Sequence, residues 1–350
     1  MSSDMNKQTS SQHVKPLPNT PERLLKMRIK HTRIAQVMND LRTLIYPGSQ
    51  DSLLLVCGPT GVGKTTIADY LVSAENERAA HEMESNAGLV PAVYVEAPAS
   101  GESCFSWRLF FQRILHQLEG ESVMPLHAFG INSVTGRMER PNGPSANSLA
   151  ALRSAVERSL RERGTRFLVI DEAAHIIQQT RPTQLESQLN TLKSLANNSG
   201  AQMVLVGSYD LYQLMSLSGQ LARRSHVLHF ERYRQEDAAD VRAFHACVKK
   251  FQDELPELWG EKLLQHADAL HENTLGCIGT LSAVLMRAAK LAQAGGGWSV
   301  ESLRRALLTE AQHRRILEEI LDGEAAINPG LTRTLQKAAT QPRTTKRSAA

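Results

Sequence analysis

The sequence predicts an α/β fold: a parallel five-stranded sheet sandwiched by helices, followed by a small helical lid. Two observations carry this. Strand-like runs at Leu53–Cys57, Ala92–Glu96, Arg166–Ile170, Met203–Val206 and Val227–Phe230 alternate with helical stretches, as a parallel sheet covered on both faces requires. From Gln235 onward the apolar recurrence is helical throughout, in segments Glu236–Gln252, Leu258–His271, Ile278–Ala294 and Val300–Leu321.

Taken in order, residues 1–19 read as a polar, disordered leader with no apolar stretch of the secretory kind. Thr20-Pro21-Glu22 has the form of a helix start, Thr20 as cap and Pro21 in the first turn. Leu24, Ile34, Val37, Met38, Leu41 and Leu44 then recur at helical spacing over Arg23–Tyr46, and Pro47-Gly48 stops the run. Helices are expected after Lys64, over Trp107–Leu118 and over Leu149–Arg163. Residues 119–147 are rich in Gly, Pro, Ser and Asn and too long for an ordinary connection; an inserted functional loop and a surface insertion both fit. The expected organisation is a leader (1–19), an α/β core (20–234), a helical lid (235–322) and a basic tail (323–350).

Hydrophobic residues make up 41% of the 350, enough for a sizeable core, and no apolar run approaches bilayer length. A soluble, cytoplasmic protein without a membrane partner is the expectation. Net charge is +4, from 40 basic and 36 acidic residues, too mild to identify a partner by itself. Beyond Glu324 no acidic residue occurs, while Arg333, Lys337, Arg343, Lys346 and Arg347 all do; a solubilising tail and a contact with DNA or an acidic protein both fit. The cysteines, Cys57, Cys104, Cys247 and Cys277, have neither zinc nor disulfide spacing.

The chemistry-bearing motif is Gly58-Pro59-Thr60-Gly61-Val62-Gly63-Lys64-Thr65, with Thr66 behind it. Its glycines let the backbone curl so that N–H groups point inward at phosphate oxygens, and the following helix adds its positive end. Lys64 suits the β- and γ-phosphates of ATP, and the Thr65 hydroxyl suits Mg²⁺. Phe167-Leu168-Val169-Ile170-Asp171-Glu172 carries an acidic pair out of a buried strand. Asp171 would hold Mg²⁺, directly or through water, and Glu172 would orient or activate the attacking water. Ser208, at the tip of the Met203–Val206 strand, could sense the γ-phosphate or cap the helix near Asp210. Arg223 and Arg224 precede the fifth strand, where a guanidinium could reach a neighbouring subunit's γ-phosphate. His175 in Asp171–His175 is one residue out of register for a helicase box and reads as a helix-face residue.

Set in order, these motifs resemble an AAA+ P-loop ATPase, and among them the TnsC/TniB family of transposition regulators. The resemblance spans roughly residues 20–315. It is carried by Gly58–Thr65, Tyr94-Val95-Glu96-Ala97-Pro98, Ile170-Asp171-Glu172-Ala173, Gln220-Leu221-Ala222-Arg223-Arg224, His229-Phe230-Glu231-Arg232-Tyr233 and Gly276-Cys277-Ile278-Gly279-Thr280-Leu281. It implies an ATP-dependent protein that assembles with itself as a filament or ring on double-stranded DNA and links a target-selector protein to a transposase. Many AAA+ proteins place a lid arginine on the γ-phosphate; here Arg287 falls a turn or two beyond Gly276–Leu281. A nucleotide-gated scaffold in another DNA-associated or a secretion-associated system remains the alternative.

Overall fold

A computed structural model describes residues 23–24, 27–44, 53–99, 101, 104–119, 130–131, 138–139, 148–180, 184–212, 214 and 225–327. The leader, the Thr20-Pro21 helix start, the Pro47-Gly48 stop, most of 119–147, Arg223, Arg224 and the tail beyond 327 lie outside the described residues.

In chain order the first elements are α1 (Thr32–Leu44), β1 (Leu53–Cys57), α2 (Lys64–Arg78), α3 (Ala80–Ser85) and β2 (Ala92–Glu96). Then come α4 (Trp107–Glu119), a two-stranded ribbon of β3 (Gly130–Ile131) and β4 (Met138–Glu139), α5 (Leu149–Glu162) and β5 (Phe167–Asp171). The core continues with α6 (Ala174–Gln178), α7 (Leu185–Ser199), β6 (Gln202–Gly207) and β7 (Ser225–His229). The rest is helical among the described residues: α8 (Ala238–Glu254), α9 (Pro256–Trp259), α10 (Ala267–Asn273), α11 (Ile278–Ala294), α12 (Val300–Ala306) and α13 (Glu310–Ile327).

The five long strands form one parallel sheet in the order β2-β5-β6-β1-β7. The inner strands β1, β5 and β6 are buried on both faces, which is why they read as apolar runs, whereas the edge strand β7 (Ser225–His229) is only partly covered. Leu53, Leu55 and Cys57 join Val93, Val95, Leu168 and Ile170 under α4, α5 and α7. Leu54, Val56, Val169 and Val204 face the opposite layer, with Ile34 and Leu41 of α1 and Ile67 and Leu71 of α2. A separate apolar cluster holds the last helices together: Phe244, Phe251, Trp259, Leu281 and Leu285 among others, joined by Leu24 and Ile29 from the start of the described chain.

Register decides where the site lies. Cys57 pairs with both Gly207 and His229, and Glu96 pairs with Asp171. The loops after β1, β5, β6 and β7 therefore leave the sheet along one rim, the carboxyl edge where open α/β sheets take ligands. β6 lies between β1 and β5 and so brings its own tip between theirs.

Three helix expectations need correction. Arg23 and Leu24 are helical, but residues 27–31 are irregular and the long helix α1 begins only at Thr32. Ile29 is drawn toward the lid cluster, so tertiary packing overrides a helical spacing. The Leu258–His271 segment is broken at Gly260, whose φ of 54° leaves the helical region. Val300–Leu321 is two helices. Leu307 is extended, Asn273 binds both the N–H (2.9 Å) and the carbonyl (3.2 Å) of Leu308, and Thr309 with Gln312 opens α13 as a capping box. Helix α7 was not anticipated from the sequence.

Candidate functional site: a phosphate loop at the sheet rim

The loop Gly58–Gly63 joins β1 to α2. Gly61 takes φ 78° and Gly63 takes φ 112° at the helix cap, conformations that side chains resist. The Lys64 ammonium turns back over this loop and donates to the carbonyls of Gly58 (3.1 Å) and Pro59 (2.9 Å). Burial pulls its pKa down, while Glu172, Glu319 and Asp171 act to hold the charge. It is thus a cation with few partners of its own strength, which an anionic phosphate would relieve. Thr65 is exposed at the start of α2.

Asp171 is 2% exposed at the end of β5. Its Oδ2 accepts the Tyr94 hydroxyl (3.1 Å) and its Oδ1 accepts the Glu172 N–H (2.9 Å), so the carboxylate is fixed in direction. Glu172 has φ 49°, a strained backbone for a side-chain-bearing residue, of the kind that gathers at functional sites. Ser208 follows β6 and donates to Asp210 Oδ2 (3.2 Å), which also accepts from Gln178 Nε2 (2.6 Å).

Thr60, Glu172, His175 and Ser208 line one cavity of about 250 Å³, together with Asp210 and Glu319. The sheet register thus gathers the three predicted positions Thr60, Glu172 and Ser208 beside the Lys64 loop. His175 was read as a helix-face residue; it lies on this cavity wall with its Nδ1 3.1 Å from the Ala97 carbonyl. On the other side of the loop, Ile29, His31, Val62, Gly63, Thr66 and Ile278 border a second cavity of about 130 Å³, less polar than the first. The groove along the phosphate loop is thus marked by two cavities, a less polar one against Val62, Gly63 and Thr66 and an acidic, hydroxylic one against Thr60.

Neither His31 nor Glu319 was singled out from sequence. His31 is buried and takes a hydrogen bond with Tyr233 through Nδ1 (2.9 Å). Burial, with help from Lys250 and Arg33, pushes its pKa down to about 4, so the ring is neutral. Glu319 belongs to α13 and accepts the Thr60 hydroxyl at 2.8 Å.

The lid meets the loop through main chain. Thr280 N–H, in the first turn of α11, donates to the Gly61 carbonyl (2.9 Å), and a Cβ on Gly279 would stand 2.6 Å from that same oxygen. Arg287 does not reach the groove: its guanidinium donates twice to the Ala306 carbonyl (3.1 and 2.8 Å), inside the lid.

A divalent ion fits this donor set in one manner only. No group of three or more His, Cys, Asp or Glu side chains among the described residues could cage a metal. One carboxylate (Asp171) and one hydroxyl (Thr65) suit Mg²⁺, which is bound by few protein groups and completed by phosphate and water.

Sheet order, phosphate loop and acidic strand tip together define the AAA+ P-loop NTPase fold. A family model described as an AAA domain matches residues 47–215. Among solved structures, the chain is similar to the Aeropyrum pernix ORC2 protein (16% identity, TM-score 0.53, covering 89% of this chain and 71% of that one). It is also similar to the Aeropyrum pernix ORC1 protein solved in complex with DNA (19% identity, TM-score 0.57, covering 82% and 68%). At these identities the likeness carries the fold alone. No curated protein matches the chain. No described helix is long and apolar enough to cross a membrane.

Proposed function

We propose that the chain binds ATP in this groove and hydrolyses it to ADP and phosphate. The observation that carries the reading is the convergence of Thr60, Glu172 and Ser208 on one cavity beside Lys64. In this reading Gly58–Thr65 and Thr66 cradle the phosphates, and the base lies against Ile29, His31 and Ile278. Lys64 leaves its loop carbonyls for the β- and γ-phosphates. Thr65 and Asp171 would hold Mg²⁺, which would supply charge neutralisation at the phosphates. Glu172 takes a proton from the water that attacks the γ-phosphorus, and Ser208 aligns that water or the phosphate. Residues 20–234 serve as the ATPase core and 235–322 as the lid.

The biological role proposed is regulation of DNA transposition: ATP-licensed assembly on double-stranded DNA, linking a target-selector protein to a transposase. The sequence blocks shared with TnsC/TniB proteins support it, as does the acid-free basic stretch Arg333–Arg347. Such work belongs in the cytoplasm. Arg223 or Arg224 would complete the site of the next subunit. Mixing arginine-mutant with Lys64-mutant subunits, each inactive alone, should restore part of the activity; arginine mutants that stay active alone would refute the role in trans. The central test is steady-state ATPase activity with and without duplex DNA. Turnover raised by DNA of any sequence, and lost as salt rises, is the expected result. Turnover indifferent to DNA would overturn the transposition reading and leave the ATPase intact.

A further inference from the structure

Helix α13 enters the nucleotide groove at its phosphate end, and nothing in the ATPase reading requires it there. Three contacts seat it. Glu319 accepts the Thr60 hydroxyl (2.8 Å) and lines the same cavity as Glu172 and Ser208. Gly323 lies flat on the ring of Tyr209, next to Ser208: a Cβ there would come within 2.0 Å of the ring. Glu324 accepts Arg232 Nε (3.0 Å) and lies 3.7 Å from Arg234. Ile320, between these contacts, is fully buried against the sheet. A glycine in mid-helix costs about 1 kcal/mol against alanine; here it permits the close approach to Tyr209.

We propose that Glu319 discriminates between nucleoside di- and triphosphates, its carboxylate occupying the ground of the γ-phosphate until α13 moves aside. The inference rests on the nucleotide-site reading above. The Thr60 hydroxyl belongs to the loop that would meet the terminal phosphate, and it is already committed to a carboxylate. A γ-phosphate brought there confronts a like charge in a part-buried cavity that also contains Glu172 and Asp210. Lys64, on which the charges of Glu319 and Glu172 already act, is a compensating cation, and two anions then compete for it. A diphosphate stops short of Thr60 and leaves the helix seated. ATP would therefore bind with displacement of α13, and ADP without it.

The test is calorimetric titration of the full chain, with Mg²⁺, using a non-hydrolysable ATP analogue and ADP separately. Glu319→Gln keeps the acceptor for Thr60 and removes the charge. It should tighten the analogue by between about fivefold and about 10³-fold, the span from a like-charge contact in bulk water to one near a protein surface, and leave ADP within about twofold. Gly323→Ala adds a methyl against Tyr209 while favouring the helix itself, and should shift the analogue in the same direction by displacing α13. Amide hydrogen exchange in Ile316–Gly323 should quicken with the analogue and not with ADP. Unchanged or weaker analogue binding in Glu319→Gln, equal gains for both nucleotides, or exchange indifferent to the γ-phosphate would each overturn the proposal. A wild-type protein that binds neither nucleotide would instead refute the site reading on which it stands.

Discussion

Replacing Gly276 by alanine inserts one methyl where the lid meets the segment leaving β7, and its cost can be worked out. Gly276 has φ 73°, and the added Cβ would lie 1.8 Å from the Tyr233 carbonyl oxygen. The conformation alone costs about 1–2 kcal/mol for an alanine. Relieving the overlap means parting the two backbones by more than 1 Å, roughly the shortfall from an ordinary van der Waals contact. That breaks the Tyr233 N–H to Gly276 carbonyl bond (3.1 Å) and strains the His271 Nε2 to Tyr233 carbonyl bond (2.9 Å). At about 1 kcal/mol for each bond, the total is about 3–4 kcal/mol. Gly296 supplies the control. Its φ is 82°, and a Cβ there meets nothing within 4 Å, so Gly296→Ala should cost only the conformational part. Urea unfolding of the two variants measures the difference. If Gly276→Ala and Gly296→Ala destabilise equally, the close approach between lid and core is not what holds them together.

Other outcomes follow from the site. Lys64→Ala should weaken ATP binding about 10–100-fold, the worth of hydrogen bonds to a charged group, and calorimetry reads it directly. Glu172→Gln should still bind ATP, no more weakly than the wild type, and turn over about 10²-fold more slowly, measured as phosphate release; wild-type turnover would remove Glu172 from the chemistry. The pH response follows from His31, held near 4 in the fold against 6.5 in a free chain. The unfolded chain then binds more protons between those values, so stability is full above about pH 6.5 and declines as pH falls toward 4, by at most about 3 kcal/mol from this residue. Burial lowers the pKa of His229 and His271 as well, which adds in the same direction. Urea midpoints at about pH 7.5 and about pH 4.5 should therefore differ less in His31→Gln than in the wild type.

The parts of the site legible in the sequence are those that local chemistry dictates. Gly58–Thr65 needs its glycines and its lysine in consecutive positions, and Asp171-Glu172 terminates an apolar strand that announces itself. Ser208 could be placed because a strand tip is a short-range feature. The wall of the less polar cavity was hidden because Arg23–Tyr46 shows a helical spacing whose first third is claimed by lid contacts. Glu319 was hidden for a different reason. It meets Thr60 across 259 residues, and an isolated glutamate on an amphipathic helix has no local mark. The break before α13 was visible in principle, since Thr309-x-x-Gln312 is a capping box within an apparently continuous run. Arg287 shows the converse: a residue type with an attractive role, tied by geometry to Ala306.

The segment around Leu24 and Ile29 belongs to the lid cluster, and Arg23 bonds Glu257 from 234 positions away. During synthesis this stretch leaves the ribosome long before its partners do. At about 5–20 residues per second, it waits roughly 12–50 s with its apolar side chains uncovered. The wall built from Ile29 and His31 therefore forms late, long after its own residues are made. If the base binds there as proposed, nascent chains cannot take it until the lid has emerged, and a holdase that shields this segment should raise the yield of folded protein more than one acting on the completed sheet.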